Sequence, residues 1–206
     1  MRLPFNFLLI RRRRPFYSGP EVAELEPGML EGARLLPTRE ELISLLPPDA
    51  VGAEIGVAFG DFTKRLLEIA RPSELHLIDL WQGERYSAGR ESVERLAAKE
   101  PDGRCRIHIG TSLEMLEKLP DRSLDWAYLD TDHTYATTAA ELAILARKLK
   151  PDGILAGDDY SHGNPGVAFE YGVRPAVNEF CLREGWKFIA LTMEHDRFPS
   201  FALKKM

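Results

Sequence analysis

From residue 51 onward the chain switches repeatedly between two periodicities. Short apolar runs of strand character, at residues 51–55, 74–80, 104–109, 123–129 and 153–156, are each followed by apolar residues recurring every three to four positions. The recurring segments predict helices at 62–70, 84–99, a short turn through Leu113 and Leu116, 136–149 and 174–183. Upstream, Thr38-Arg39-Glu40-Glu41 has the form of a capping box, with Thr38 at the cap and Glu41 reaching back. Leu42, Leu45 and Leu46 then make an apolar stripe that Pro47-Pro48 stops. At the other end, strands at 186–192 and 198–204 follow one another with no helix between them, which predicts an antiparallel hairpin.

Five strand–helix units in succession predict an α/β, doubly wound, Rossmann-like fold, because right-handed crossovers place helices on both faces of a mostly parallel sheet. Residues 38–206 then form one domain. Residues 1–37 are rich in Pro and Gly with weak periodicity, and read as an N-terminal arm or lid. No internal repeat is visible.

Composition narrows the picture modestly. At 206 residues, 44% apolar and 29% charged, the chain is an ordinary globular protein with room for a sizeable core. A net charge of -5 argues against nucleic acid or an anionic membrane as main partner. Cys105 and Cys181 lack metal-like spacing and read as buried free thiols of a reducing, cytoplasmic setting. The apolar stretch 1–10 precedes Arg11 to Arg14, the reverse of a secretory signal, and no later run is long enough to cross a bilayer. The arm instead offers a surface for packing on the domain or for self-association.

The candidate chemistry sits where apolar runs stop. Asp130 closes the fourth run, followed by Thr131-Asp132-His133, and Asp158-Asp159 close the fifth. If those strands are neighbours their ends lie about 5 Å apart. Three carboxylates so close raise one another's pKa unless a cation intervenes, and oxygen ligands select a hard ion such as Mg²⁺. His133, with an ordinary pKa near 6.5, suits a general base beside that ion, with Asp132 supporting it or the loop. His76 and His108 fall within strands and read as packing or surface residues; His162 is a weaker candidate for touching an acceptor. After the first strand, Gly56 and Gly60 permit a tight turn and close approach to a ligand, although Ala58 breaks the G-x-G-x-x-G pattern of dinucleotide sites. Asp79 closes the second strand at the distance where such folds hold ribose hydroxyls.

The runs E-I-G-V-A-F-G, L-I-D-L-W, L-D-T-D-H-T-Y and P-D-G-I-L-A-G-D-D-Y together resemble the class I S-adenosylmethionine-dependent methyltransferases, over residues 38–206. Within that class they are most similar to divalent-metal-dependent O-methyltransferases of the macrolide-sugar and catechol groups. The resemblance implies a seven-stranded sheet, with Glu54, Gly56 and Gly60 around the methionine part of the cofactor and Asp79 on its ribose. It also implies that Gly110 and Ser112 flank the adenine, and that the position of His133 carries the base. Asp130 would then touch both the edge of the cofactor site and the metal, with Asp158 and Asp159 as the other ligands. The long segment 161–172 would cover a small hydroxylated acceptor. Three rival readings remain at this level: a methyltransferase that needs no metal, a nicotinamide-nucleotide oxidoreductase, and a non-catalytic nucleoside-binding protein.

Overall fold

Five parallel strands form one contiguous block of the sheet: β2 (Val51–Ile55), β3 (Glu74–Asp79), β4 (Cys105–Ile109), β5 (Leu124–Leu129) and β6 (Leu149–Gly157). The computed structural model describes residues 20–84, 86–101, 103–164, 169–195 and 197–206; the Arg11 to Arg14 run and the stretch before it lie outside the described residues. β9 (Trp186–Thr192) and β10 (Phe201–Lys205) form the expected antiparallel pair, and β10 also runs antiparallel to β6. One strand was not anticipated. β1 (Arg34–Leu36), in the segment read as an arm, pairs parallel with β9 and makes an eight-stranded sheet in the order β1-β9-β10-β6-β5-β2-β3-β4.

The central strands carry apolar side chains on both faces because helices cover both. On one face α4 (Ser112–Lys118), α5 (Tyr135–Lys148) and α6 (Val173–Glu184) contribute Leu116, Leu142, Leu145, Val177 and Phe180 to the core. On the other, α1 (Arg39–Ile43), α2 (Asp61–Ile69) and α3 (Ser87–Ala97) contribute Leu42, Ile43, Leu66 and Val93. β6 begins four residues before its apolar run, so the expected turn at 150–152 lies inside the strand. After the buried Leu149, residues 150–152 sit at the rim, where Lys150 Nζ reaches Asp125 Oδ1 of β5 at 2.7 Å. The segment after Asp159 carries a two-stranded hairpin, β7 (Gly163–Asn164) with β8 (Phe169–Glu170).

β2 is the point where the chain reverses direction across the sheet. From it β3 and β4 add on one side, and β5 and β6 on the other. Ligands in open α/β sheets lie in the crevice at such a switch point, outside the carboxyl ends of the strands. The ladder runs one residue beyond the strands here: Gly56 N donates to Ile78 O at 2.9 Å, Asp130 N to Ile55 O at 2.8 Å and Asp158 N to Leu129 O at 3.0 Å. These bonds align the ends of β3, β2, β5 and β6. Among the described residues, no helix is long and apolar enough to cross a membrane.

Candidate active site

The turn after β2 is shaped by glycine and held by Asp79. Gly56 has φ 88°, and a Cβ there would lie 1.8 Å from Asp130 O, so no other residue fits without moving the end of β5. Gly60, at φ 80°, caps α2. Ala58 takes a left-handed φ of 51°, which costs an alanine about 1 kcal/mol. Its neighbours hold it there. Asp79 Oδ2 accepts from Val57 N at 2.8 Å and from Ala58 N at 2.9 Å, while Trp81 Nε1 donates to Ala58 O at 2.8 Å. Asp79 Oδ1 also accepts from Trp81 N at 2.7 Å. The carboxylate expected on ribose is thus built into the wall of the turn, at the mouth of the crevice.

Glu54 lies beneath that turn rather than in it. Its carboxyl is 1% exposed and accepts a bond from Thr63 Oγ1 of α2 at 2.6 Å. Burial pushes it up to about 8, Thr63 opposing and Asp130 and Asp79 adding to the rise. A folded-state pKa above the ordinary 4.5 means that the folded state holds the proton longer than the unfolded chain. Glu54 therefore contributes stability that is complete below pH 4.5 and is lost as pH rises toward about 8. Urea unfolding of the ligand-free protein should show wild type losing on the order of 3 kcal/mol relative to Glu54→Gln between pH 5 and pH 8. Equal pH dependence in the two proteins would show that Glu54 is ionised in the fold.

On the other side of the switch point the acids divide. Asp130, His133 and Asp159 bring one ligand atom each to within 4.8 Å of one another. His133 Nδ1 stands 3.2 Å from Asp159 Oδ2 and 3.9 Å from Asp130 Oδ1. Asp158, expected as a third carboxylate ligand, does not join them. It meets Arg39 Nη2 at 2.5 Å and accepts from Ser200 Oγ at 2.8 Å, while lining the same small cavity as Asp130 and His133. Both residues lie past the end of β6, and the left-handed φ of 58° at Asp159 turns the chain there, so the two side chains part company. The group that the structure assembles is two carboxylates and an imidazole, not three carboxylates.

The charges of this group are tuned by burial and by one another. Asp159 is pushed up to about 7 by burial and by Asp158, with Arg39 opposing. Asp130 is raised well above the usual carboxylate range by desolvation and then by Asp158 and Asp159, again against Arg39. Burial lowers His133. His133 is held in a left-handed conformation, φ 61°, by Gly172 N donating to its carbonyl at 2.7 Å, and its ring lies 4.8 Å from that of Tyr171. Asp132 serves the loop: it accepts from Thr134 N at 2.9 Å and Thr137 Oγ1 at 2.8 Å, at the start of α5.

The remaining candidates scatter. Gly110 N donates to Asp79 O at 3.1 Å, so the β4–α4 turn abuts the end of β3, and Ser112 turns its hydroxyl toward Glu141 of α5. His162 Nε2 lies 3.0 Å from Arg174 Nη1 at the start of α6. His76 and His108 pair with each other at 2.8 Å on the β3–β4 face. Cys105 and Cys181 are free thiols, which burial pushes up to about 11 and about 12. Sequence reasoning missed Arg39, Thr63, Trp81, Tyr171 and Ser200. Only Arg39 left a local trace: a basic residue in the first turn of a helix opposes the helix dipole, and so calls for a tertiary partner.

Comparisons with known proteins bear on the family and on the fold. A family model described as a methyltransferase domain matches residues 53–160, from β2 to just past the Asp158-Asp159 pair. No curated protein matches the chain. Among solved structures, a SAM dependent methyltransferase from Aquifex aeolicus superposes with a TM-score of 0.61 at 17% identity, covering 86% of this chain and 93% of that one. The 1,6-didemethyltoxoflavin-N1-methyltransferase of Burkholderia thailandensis, with bound S-adenosylhomocysteine, gives 0.59 at 16% identity over 81% and 78%. Spermidine synthase from Thermotoga maritima gives 0.55 at 16% identity, over 81% of this chain and 58% of its own. At these identities the structures establish the fold and not the acceptor. With the family model spanning more than half of the chain and ending on the clustered acids, the chain belongs to the methyltransferase-domain family.

Proposed function

We propose that the protein transfers a methyl group from S-adenosylmethionine to a hydroxyl oxygen of a small acceptor, with His133 as general base. The observation that carries this reading is the approach of His133 Nδ1 to Asp159 Oδ2 at 3.2 Å, across the switch point from the glycine turn. In the neutral imidazole, Nδ1–H donates to Asp159, which leaves Nε2 as the basic atom. A lowered pKa keeps the ring neutral, and so able to take a proton, at physiological pH. Gly56, Gly60 and Asp79 would seat the cofactor, with Glu54 bracing the turn from below and Gly110 and Ser112 on the adenine side. Positioning supplies much of the rate, because an aligned methyl donor needs no covalent enzyme intermediate.

The donor set fits a hard divalent cation. Asp130 and Asp159 offer carboxylate oxygens within 4.8 Å of each other, the donor type that Mg²⁺ or Mn²⁺ selects. A bound cation there would lower the pKa of an acceptor hydroxyl. A second reading has its own observation: Arg39 already neutralises Asp158, and the Asp159–His133 pair is complete without an ion. The two are separated by incubating the protein with methyl-labelled cofactor and fractions of hydroxylated small molecules, with and without chelator. Transfer that falls at least tenfold with chelator and returns with Mg²⁺ supports the metal-assisted reading; transfer indifferent to chelator supports the second. Tight cofactor binding with no transfer to any hydroxylated fraction would overturn both.

A further inference from the structure

Glu141 is a buried acid that neither the proton transfer nor the candidate cation site uses. It sits on the inner face of α5, at helical spacing with Thr138, Leu142 and Leu145, and has no exposed surface. Thr131 Oγ1 donates to its Oε2 at 2.9 Å, and the Ser112 hydroxyl lies near enough to the same carboxyl to favour its charged form. Its Oε1 is sealed from solvent and has no hydrogen-bonding partner. Desolvation accordingly pushes Glu141 up to about 7, the two hydroxyls opposing and Asp132 adding to the rise.

The two hydroxyls belong to different loops. Ser112 opens α4 directly after the Gly110 turn at the end of β4, and Thr131 directly follows Asp130 at the end of β5. α4 and α5 pack side by side beneath these loops. A carboxyl placed there is an expensive way to join two helices. A buried polar group with one atom unpaired costs free energy, and apolar side chains of similar size fill such positions at neutral or favourable cost. Residues that break the packing rule without local compensation mark functional positions.

We infer that Glu141 is a positioning residue of the cofactor site, which ties the β4–α4 turn to the Asp130 loop and so sets the width of the adenine side. It acts through Ser112 and Thr131 and does not touch the ligand, since its free oxygen faces no opening. The inference rests on the proposed reading of the crevice as an S-adenosylmethionine site. A merely structural role makes the opposite demand on experiment. If Glu141 only supports packing, its replacement lowers stability and leaves ligand affinity alone. A positioning role allows stability to hold while affinity falls.

The test is calorimetric titration of S-adenosylhomocysteine into wild type, Glu141→Leu, Glu141→Gln and Thr131→Val, with the melting temperature of each. Glu141→Leu is expected to melt at or above wild type and to bind at least about tenfold more weakly. Glu141→Gln keeps an acceptor for both hydroxyls and is expected within about threefold of wild type. Thr131→Val, nearly isosteric, is expected to weaken binding at least about threefold, and to add nothing further in the Glu141→Leu background. Undiminished binding by both Glu141→Leu and Thr131→Val overturns the inference alone. No binding by wild type overturns it together with the cofactor reading on which it rests.

Discussion

His133→Asn is expected to lower turnover by about 10²–10⁴-fold, the usual contribution of a positioned base, while S-adenosylhomocysteine affinity stays within about twofold. Asparagine is preferred to alanine here because His133 sits at φ 61°, a left-handed conformation that Asn tolerates and Ala resists. The backbone bond from Gly172 to the carbonyl of residue 133 should therefore survive, and the melting temperature should move by no more than a few degrees. Separating kcat from cofactor affinity matters because on the proposed reading the base acts on the acceptor, whereas the turn at Gly56 would hold the cofactor across the switch point. A Mn²⁺ titration of the same variant sharpens the result. If His133 is a base, the ion binds as to wild type; if its Nδ1 is a ligand, affinity for the ion falls with turnover. Turnover within threefold of wild type would remove His133 from the chemistry altogether.

The parts of the fold that were legible in the sequence are those that bury apolar residues with a regular period. β2 to β5 lie between two helical layers, so their runs of Val, Ile and Leu stood out against polar loops. β1 was not legible, because three residues are too few to show alternation and its partner β9 is some 155 residues away. The meeting of Asp130 with the end of β6 was legible too, since consecutive units of a parallel sheet become neighbours. Which acid faces which partner was not. Asp158 and Asp159 look equivalent as a dipeptide, yet past the end of β6 one meets Arg39 and the other, at a left-handed φ of 58°, meets His133. Asp79 shows a similar limit: its place after the second strand was correct, but its three backbone donors come from turn geometry that no pattern of residue types encodes.

Arg39→Met is expected to destabilise the fold by about 3–5 kcal/mol at neutral pH, the cost of leaving a buried charge without its partner. The Arg39 and Asp158 side chains are only 12% and 6% exposed, so water replaces little of what is lost. Methionine keeps an aliphatic stem of similar length and removes the guanidinium, whose carbon lies 5.5 Å from the Phe62 ring centroid. Arg39→Met/Asp158→Asn should recover more than half of the loss in urea unfolding, because Asn can still accept the bond from Ser200 while carrying no charge. The site should respond as well. Arg39 is the cation that opposes the rise of Asp130 and Asp159, so its removal pushes both carboxyls further up and leaves them more protonated at pH 7. Affinity for Mn²⁺ should then fall in Arg39→Met, yet return in the double variant, where the like charge on Asp158 has gone as well. A double variant no more stable than Arg39→Met would show that the stability resides in Arg39's contacts with Phe62 and Glu194, and not in its pairing with Asp158.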